Sequence, residues 1–254
     1  SREERMIPIG DYAGQRRSFP FVNYALIALN VLVFLYEVSL PGGRLQQFIL
    51  AWGAVPAAIV QGGGQQPAPL GGVTVTLPVY ATILSSMFIH ASWLHLGGNM
   101  LYLWVFGDNV EDACGHVRYL IFYFVCGIAA SLAQIFVYPD SVVPTVGASG
   151  AIAGVMGAYL VMFPRARIRT LVILIFFITI VYLPAILVIG IWFLLQLSSG
   201  VGSLGVHTQQ TGGVAVWAHV GGLVAGALLA FLFRRRSYHE SAPSTYGSYR
   251  GFRG

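Results

Sequence analysis

The chain has 254 residues, of which 9% are Asp, Glu, Lys or Arg and 56% are hydrophobic, with a mean hydropathy of +0.73. Soluble domains carry about 25% charged residues, so this composition excludes a disordered chain, a coiled coil and a typical soluble enzyme. The formal charge of +5 comes from 14 basic and 9 acidic residues, and every basic residue is Arg.

A hydrocarbon core about 30 Å thick takes roughly 20 apolar residues per helix. In chain order six stretches qualify: 21–40, then 94–106 extended by the apolar run before it, 117–138, 146–163, 170–197 and 214–233. The expected fold is all-α, a polytopic membrane bundle of six transmembrane helices. Residues 1–20 read as an N-terminal segment, 21–236 as the membrane domain, and 237–254, rich in Ser, Tyr, Gly and Arg, as a disordered tail. The first stretch has the basic flank of a signal peptide, but its core is too long and no A-x-A site follows, so it reads as a retained helix. Between the first two helices, 41–78 is an outer loop whose apolar patch, 48–60, suits the membrane interface. Residues 198–213 are Gly-rich and uncharged and read as a mobile outer loop. The two cysteines, Cys114 and Cys126, make no disulfide framework or metal cluster and read as buried small hydrophobes. No internal repeat marks an inverted-repeat transporter.

The arginines give the orientation. Arg2, Arg5, Arg16 and Arg17 precede the first helix, Arg118 lies between the second and third, and Arg165, Arg167 and Arg169 between the fourth and fifth. Arg234, Arg235 and Arg236 follow the sixth, Arg250 and Arg253 lie in the tail, and only Arg44 falls on the other side. By the positive-inside rule this bias predicts both termini in the cytoplasm and an even number of helices. It also accounts for the positive charge as a topology signal, so the implied partner is a lipid bilayer and not a nucleic acid.

Polar side chains at membrane depth are costly and are functional candidates by default. His95 and Asn99 in the second helix, Ser149 opening the fourth and His219 in the sixth stand out, with His90 just before the second. Ser149 is 15 residues before Pro164 and His219 is 15 before Arg234, each roughly 22 Å at about 1.5 Å per helical residue. His95 is 13 residues before Asp108, or roughly 20 Å. Three polar groups on three helices therefore share a level about 8–10 Å below the outer face of a 30 Å core. Asn99 follows on the same face, one turn deeper. Ser149 is flanked by Gly147, Gly150, Gly154 and Gly157, and His219 by Gly221, Gly222 and Gly226. Small residues at this spacing let membrane helices approach closely. A close fourth–sixth pair would bring the Ser149 hydroxyl and the His219 imidazole within hydrogen-bond reach, the geometry of an activated nucleophile.

Gly147-Ala148-Ser149-Gly150, the Ala218-His219-Val220-Gly221-Gly222 segment, and His90, His95 and Asn99 at their spacing together resemble the rhomboid family of intramembrane serine proteases. The likeness runs over about 78–233, and the Gly107-Asp-Asn-Val-Glu-Asp112 run matches many bacterial members. The resemblance implies Ser149 as nucleophile and His219 as its general base, a dyad, since no carboxylate is read at membrane depth to make a triad. His95 and Asn99 with the Ser149 backbone N–H would form the oxyanion hole. His90, Gly147, Gly150 and Gly222 would support the site, His90 in a structural or water-organising role. No metal or other cofactor is implied. The implied substrates are single-span transmembrane proteins cut near their outer ends, and the implied location is a bacterial inner membrane. Two departures stand out. Ala81 and Thr82 replace a Trp-Arg pair common in the first outer loop, and Ala153 replaces an aromatic residue that stacks on the catalytic His.

Other chemistries fit less well. A zinc enzyme needs His-Glu-x-x-His, which is absent. An aspartyl enzyme needs two membrane Asp, but Asp108 and Asp112 sit at the boundary. A haem or metal site on His90, His95 and His219, and a channel or transporter, are weaker readings. The main alternative is a catalytically silent rhomboid-like protein that binds membrane clients, although such proteins typically lack the Ser or the His.

Overall fold

A computed structural model describes residues 5–12, 17–62, 64–70, 73–174, 177–203 and 215–235. The chain opens with strand β1 (Arg5–Tyr12) and helix α1 (Phe21–Ser39). The first loop folds into α2 (Arg44–Trp52), α3 (Pro56–Val60) and a hairpin of β2 (Gln65–Leu70) and β3 (Val73–Pro78). A 3₁₀ turn (Val79–Ala81), the short α4 (Thr82–Ser85) and a second 3₁₀ turn (Ser86–Phe88) lead into α5 (Trp93–Cys114). Then come α6 (His116–Val137), α7 (Ser149–Met162), strands β4 (Arg167–Leu174) and β5 (Phe177–Pro184), α8 (Ala185–Ser203) and α9 (Val216–Phe233). The chain is mostly helical, as composition predicts. Among the described residues, α1, α6 and α9 are long and apolar enough to cross a membrane.

The expected fifth helix begins late. Residues 170–174 and 177–184 are strand, not helix: β4 and β5 pair antiparallel, and β1 pairs antiparallel with β4 to complete a three-stranded sheet. Mean hydropathy cannot tell a β-branched strand from a helix, and this run is rich in Ile, Val, Thr and aromatic residues. Pro184 then has no N–H to continue a strand ladder, and α8 starts at the next residue. Of the expected mobile loop, 198–203 continue α8. The remainder, 204–213, and the tail from 237 lie outside the described residues. Cys114 and Cys126 are buried free thiols, as expected.

The core is centred on α7. Gly150, Ala151, Ala153, Gly154, Val155, Gly157 and Ala158 are all buried, so the helix is enclosed on every side. Its tightest neighbour is α9. A Cβ on Gly222 would collide with the Gly150 carbonyl oxygen, one on Gly226 with that of Gly154, and one on Gly157 with that of Leu223. This is the small-residue route to close helix packing in lipid. On the other side of α9, Gly221 admits Ala133 of α6, and the Gln134 side chain accepts the Ala218 N–H at 3.3 Å.

The Arg-rich end is tied by two buried acids and a buried amide of one run. Glu111 accepts the N–H groups of Val22 (3.0 Å) and Asn23 (2.7 Å), which the first turn of α1 leaves unpaired, and also bonds His116. Asp112 accepts the N–H groups of Arg17 (3.1 Å) and Ser18 (2.9 Å) and the Ser18 hydroxyl (2.7 Å). Asn109 donates to Asp11 at 2.7 Å and so anchors β1, and Tyr159 of α7 donates to the same carboxylate.

Adding a single methyl at the α7–α9 seam is expected to cost about 1–3 kcal/mol through overpacking. Thermal unfolding of Gly226→Ala in detergent checks this: the midpoint should fall well below that of the parent, and an unchanged midpoint would show that the seam has slack.

Candidate active site

The turn before α7 brings its first residue into the middle of the bundle. The preceding loop is fixed by a two-way backbone bridge, Ala54 N–H to Thr145 at 3.1 Å and Thr145 N–H to Ala54 at 2.7 Å, and by Gly147 N–H to the Ser86 carbonyl at 2.8 Å. Gly147 has φ +122°, a conformation that L side chains rarely adopt, and a Cβ there would come within 2.8 Å of His95 Cε1 and 2.9 Å of Nε2. The expected helix start at 146 therefore moves to Ser149. As the first helical residue, Ser149 has no carbonyl four residues back for its N–H to bond, and the positive end of the helix dipole lies around it.

His219 lies in the first turn of α9 with only 4% of its surface exposed. Its Nε2 is 2.7 Å from Ser149 Oγ. In the tautomer with Nε2 unprotonated, the hydroxyl donates to the ring. Gly150 and Gly222, on the same seam, set how near the two backbones come.

His95 is held at the start of α5 by Ser92, whose hydroxyl accepts the His95 N–H at 3.1 Å as an N-cap. One turn on, Asn99 is 8% exposed, and its amide nitrogen has no hydrogen-bond partner among the described residues. The His90 ring packs edge-on against His95, with centroids 5.1 Å apart, and its Nδ1 is 3.3 Å from the Phe88 carbonyl. A narrow cleft opens beside Ser149, lined by Ser86, Met87, Gly127, Ser131, Thr145 and Gly147 among others.

Two residues of this region escaped the sequence reading. Glu37 is one of them, a carboxylate inside the first apolar stretch. It sits near the end of α1, fully buried, and both carboxylate oxygens lie within reach of the His90 N–H, at 3.3 and 3.2 Å. It lies late in the apolar stretch, where composition alone gives it no distinguishing mark. Trp192 of α8 packs its ring against His219, with centroids 5.4 Å apart. Nothing in the local pattern marks it, because the contact depends on how α8 is placed. The departures from the family pattern also have structural outcomes. Thr82 is buried and donates to the Val79 carbonyl at 2.6 Å, while Ser85 ties this segment to the Trp52 carbonyl at 2.6 Å. Ala153 is completely buried.

A family model for the Rhomboid domain matches residues 78–236 of this chain. The chain belongs to the rhomboid family. The match spans the region from the 3₁₀ turn before α4 through α9. Rhomboid relatives include "Rhomboid protein 1, mitochondrial" of Saccharomyces cerevisiae, 33% identical over 151 residues, which is 57% of this chain and 37% of the relative. "Rhomboid protease GluP" of Bacillus subtilis is 32% identical over 142 residues, 56% of this chain and 24% of the relative. "Rhomboid-like protein 11, chloroplastic" of Arabidopsis thaliana is 36% identical over 77 residues, 30% of this chain and 27% of the relative. The matched region thus spans well under half of the length of these relatives. The rhomboid family holds both active proteases and inactive members, and the rhomboid match with the apolar helices marks a membrane protein.

Removing the buried acceptor at Glu37 is expected to leave the His90 N–H unpaired, at a cost of about 1–3 kcal/mol. Glu37→Ala should therefore unfold at a lower temperature than the parent, and Glu37→Gln, which keeps an acceptor oxygen, should recover much of the loss. Equal midpoints for all three would remove the contact as a determinant of stability.

Proposed function

We propose that this rhomboid is an intramembrane serine endopeptidase that hydrolyses peptide bonds in or near transmembrane segments of membrane proteins. The observation that carries the reading is the 2.7 Å contact between Ser149 Oγ and Nε2 of the buried His219. A lone membrane serine ordinarily bonds a backbone carbonyl of its own helix. A serine at a helix start, facing an imidazole of another helix, is arranged for nucleophilic chemistry.

In this mechanism Ser149 Oγ attacks the scissile carbonyl carbon as its proton passes to His219 Nε2. The carbonyl π electrons move onto oxygen and form a tetrahedral oxyanion. His95, the Asn99 amide and the Ser149 N–H serve as its donors. The unengaged Asn99 nitrogen supports this assignment, because a donor held ready for the transition state needs no ground-state partner. Collapse of the intermediate expels the amine, which takes the proton from His219. Water then attacks the acyl-enzyme, gives its proton to His219, and Ser149 is released with that proton restored. Gly147 supports the site by letting the His95 ring come close, and Gly150 and Gly222 by closing the seam. His90, with its N–H on Glu37, is a structural support.

The substrates on this reading are single-span proteins in a lipid bilayer. A nucleophile about 8–10 Å below the outer face of a 30 Å core reaches a transmembrane segment that unwinds near its end. The Arg bias supports an even number of membrane crossings with both termini cytoplasmic, and the proposal takes six crossings in a bacterial inner membrane. Division into an N-terminal segment at 1–20, a membrane domain at 21–236 and a tail at 237–254 completes the proposal, with the qualification that β1 joins the sheet at the base of the domain.

The deciding experiment uses the purified chain in liposomes with a model transmembrane substrate. Ser149→Ala and His219→Ala should each abolish cleavage and fluorophosphonate labelling, and Asn99→Ala should slow turnover by about 10–1,000-fold. Cleavage by Ser149→Ala at the parent rate would overturn the assignment. A folded parent that neither cleaves nor labels would identify a client-binding, catalytically silent protein instead.

A further inference from the structure

In a dyad, something other than a third catalytic residue must keep the imidazole plane aimed at the serine. The family position for a stacking ring, four residues after Ser149, holds only the methyl of Ala153, buried in the seam. Within α9 the neighbours of His219 one turn away are Ala215, Val216, Gly222 and Leu223, none of which carries a ring. The ring comes from another helix. Trp192 of α8 lies with its centroid 5.4 Å from that of His219 and its plane tilted 47° to the imidazole. It also packs against Tyr102 of α5, with centroids 6.1 Å apart. Trp192 thus sits where α5, α8 and α9 meet, while Ile186, Leu187, Leu194 and Leu195 of the same helix are exposed.

We propose that Trp192 is a positioning residue for His219, holding the imidazole toward Ser149 and stabilising its protonated form as the serine proton is transferred. The proposal rests on the reading of Ser149 and His219 as the dyad. Two physical effects act together. Contact with a large rigid ring restricts imidazole rotation, so more encounters find Nε2 aligned with the hydroxyl. Once protonated, His219 is a cation within about 6 Å of an indole centroid, inside the range of attraction to an aromatic face. The second effect exists only when His219 is charged, so it favours the transition state over the bound substrate and appears in kcat rather than KM.

The test compares the parent, Trp192→Leu, Trp192→Met and Trp192→Phe in proteoliposomes. Cleavage of a model transmembrane substrate, the rate of fluorophosphonate labelling and the thermal midpoint are each measured. The small phosphonate needs the dyad but no entry route for a helix, so it separates base positioning from substrate admission. Expected are a 10- to 100-fold fall in kcat and in labelling rate for Leu and Met, KM within about twofold, and recovery to within about threefold for Phe. If the Leu variant unfolds, the Met–Phe pair decides by the same criterion. Parent-like labelling with slow cleavage would overturn the proposal and leave Trp192 a role in substrate entry. Equal losses for Phe and Met would also overturn it, as a packing role only. A Ser149→Ala control that still cleaves would instead remove the dyad reading itself, which no Trp192 result can mimic.

Discussion

The close approach of α7 and α9 is the constraint on which the rest of the structure depends. In lipid no hydrophobic force draws two helices together, so contact must come from packing. Here three glycine positions, Gly157, Gly222 and Gly226, admit carbonyl oxygens of the facing helix where any side chain would collide. The seam sets the distance between Ser149 and His219, because each lies at the start of its helix, beside the first glycine pair. Displacing one helix by a methyl would open a 2.7 Å contact. The other elements act as supports for this pair: α6 buttresses α9 through Ala133 and Gln134, and α5 brings His95 against Gly147.

The far end of the bundle solves a different problem. Helix α1 and strand β1 lie at the start of the chain and must be joined to a core built from later residues. Glu111 and Asp112 do this by capping backbone N–H groups at or before the start of α1, and Asn109 does it by reaching Asp11. Charge-assisted bonds of this kind are among the stronger ones a protein makes. The acidic run first looked like a family marker. Its physical role is to hold the first helix and the first strand against α5. Glu37 does comparable work at the other end of α1, fixing the turn that carries His90.

Much of the fold is legible in the sequence, and the exceptions have identifiable causes. The stretch at 21–40 becomes α1 at Phe21–Ser39, and that at 117–138 becomes α6 at His116–Val137, because length and hydropathy suffice for a lone apolar helix. The fifth stretch failed because hydropathy carries no period: β4 and β5 are as apolar as a helix, and their partner β1 lies far off in sequence. The start of α7 slipped by three residues because Gly147 takes a positive φ that the apolar pattern does not announce. Glu37 was overlooked for a related reason. A charge late in an apolar stretch carries no distinguishing mark until a neighbouring turn is seen to bury it.

The sequence by itself determined that this is a membrane protein of the rhomboid type. It also picked out Ser149, His219, His95 and Asn99, because a chain with so few polar groups in its apolar stretches makes each one conspicuous. These conclusions follow from composition, spacing and motif, which are local. Tertiary structure alone decided which groups touch. The Ser149–His219 contact depends on the fit between two glycine-lined surfaces, and the Trp192–His219 contact on the placement of α8. The close approach of the His95 ring to Gly147 depends on a backbone angle. Such distances are set by how helices pack in three dimensions, and no one-dimensional pattern carries them.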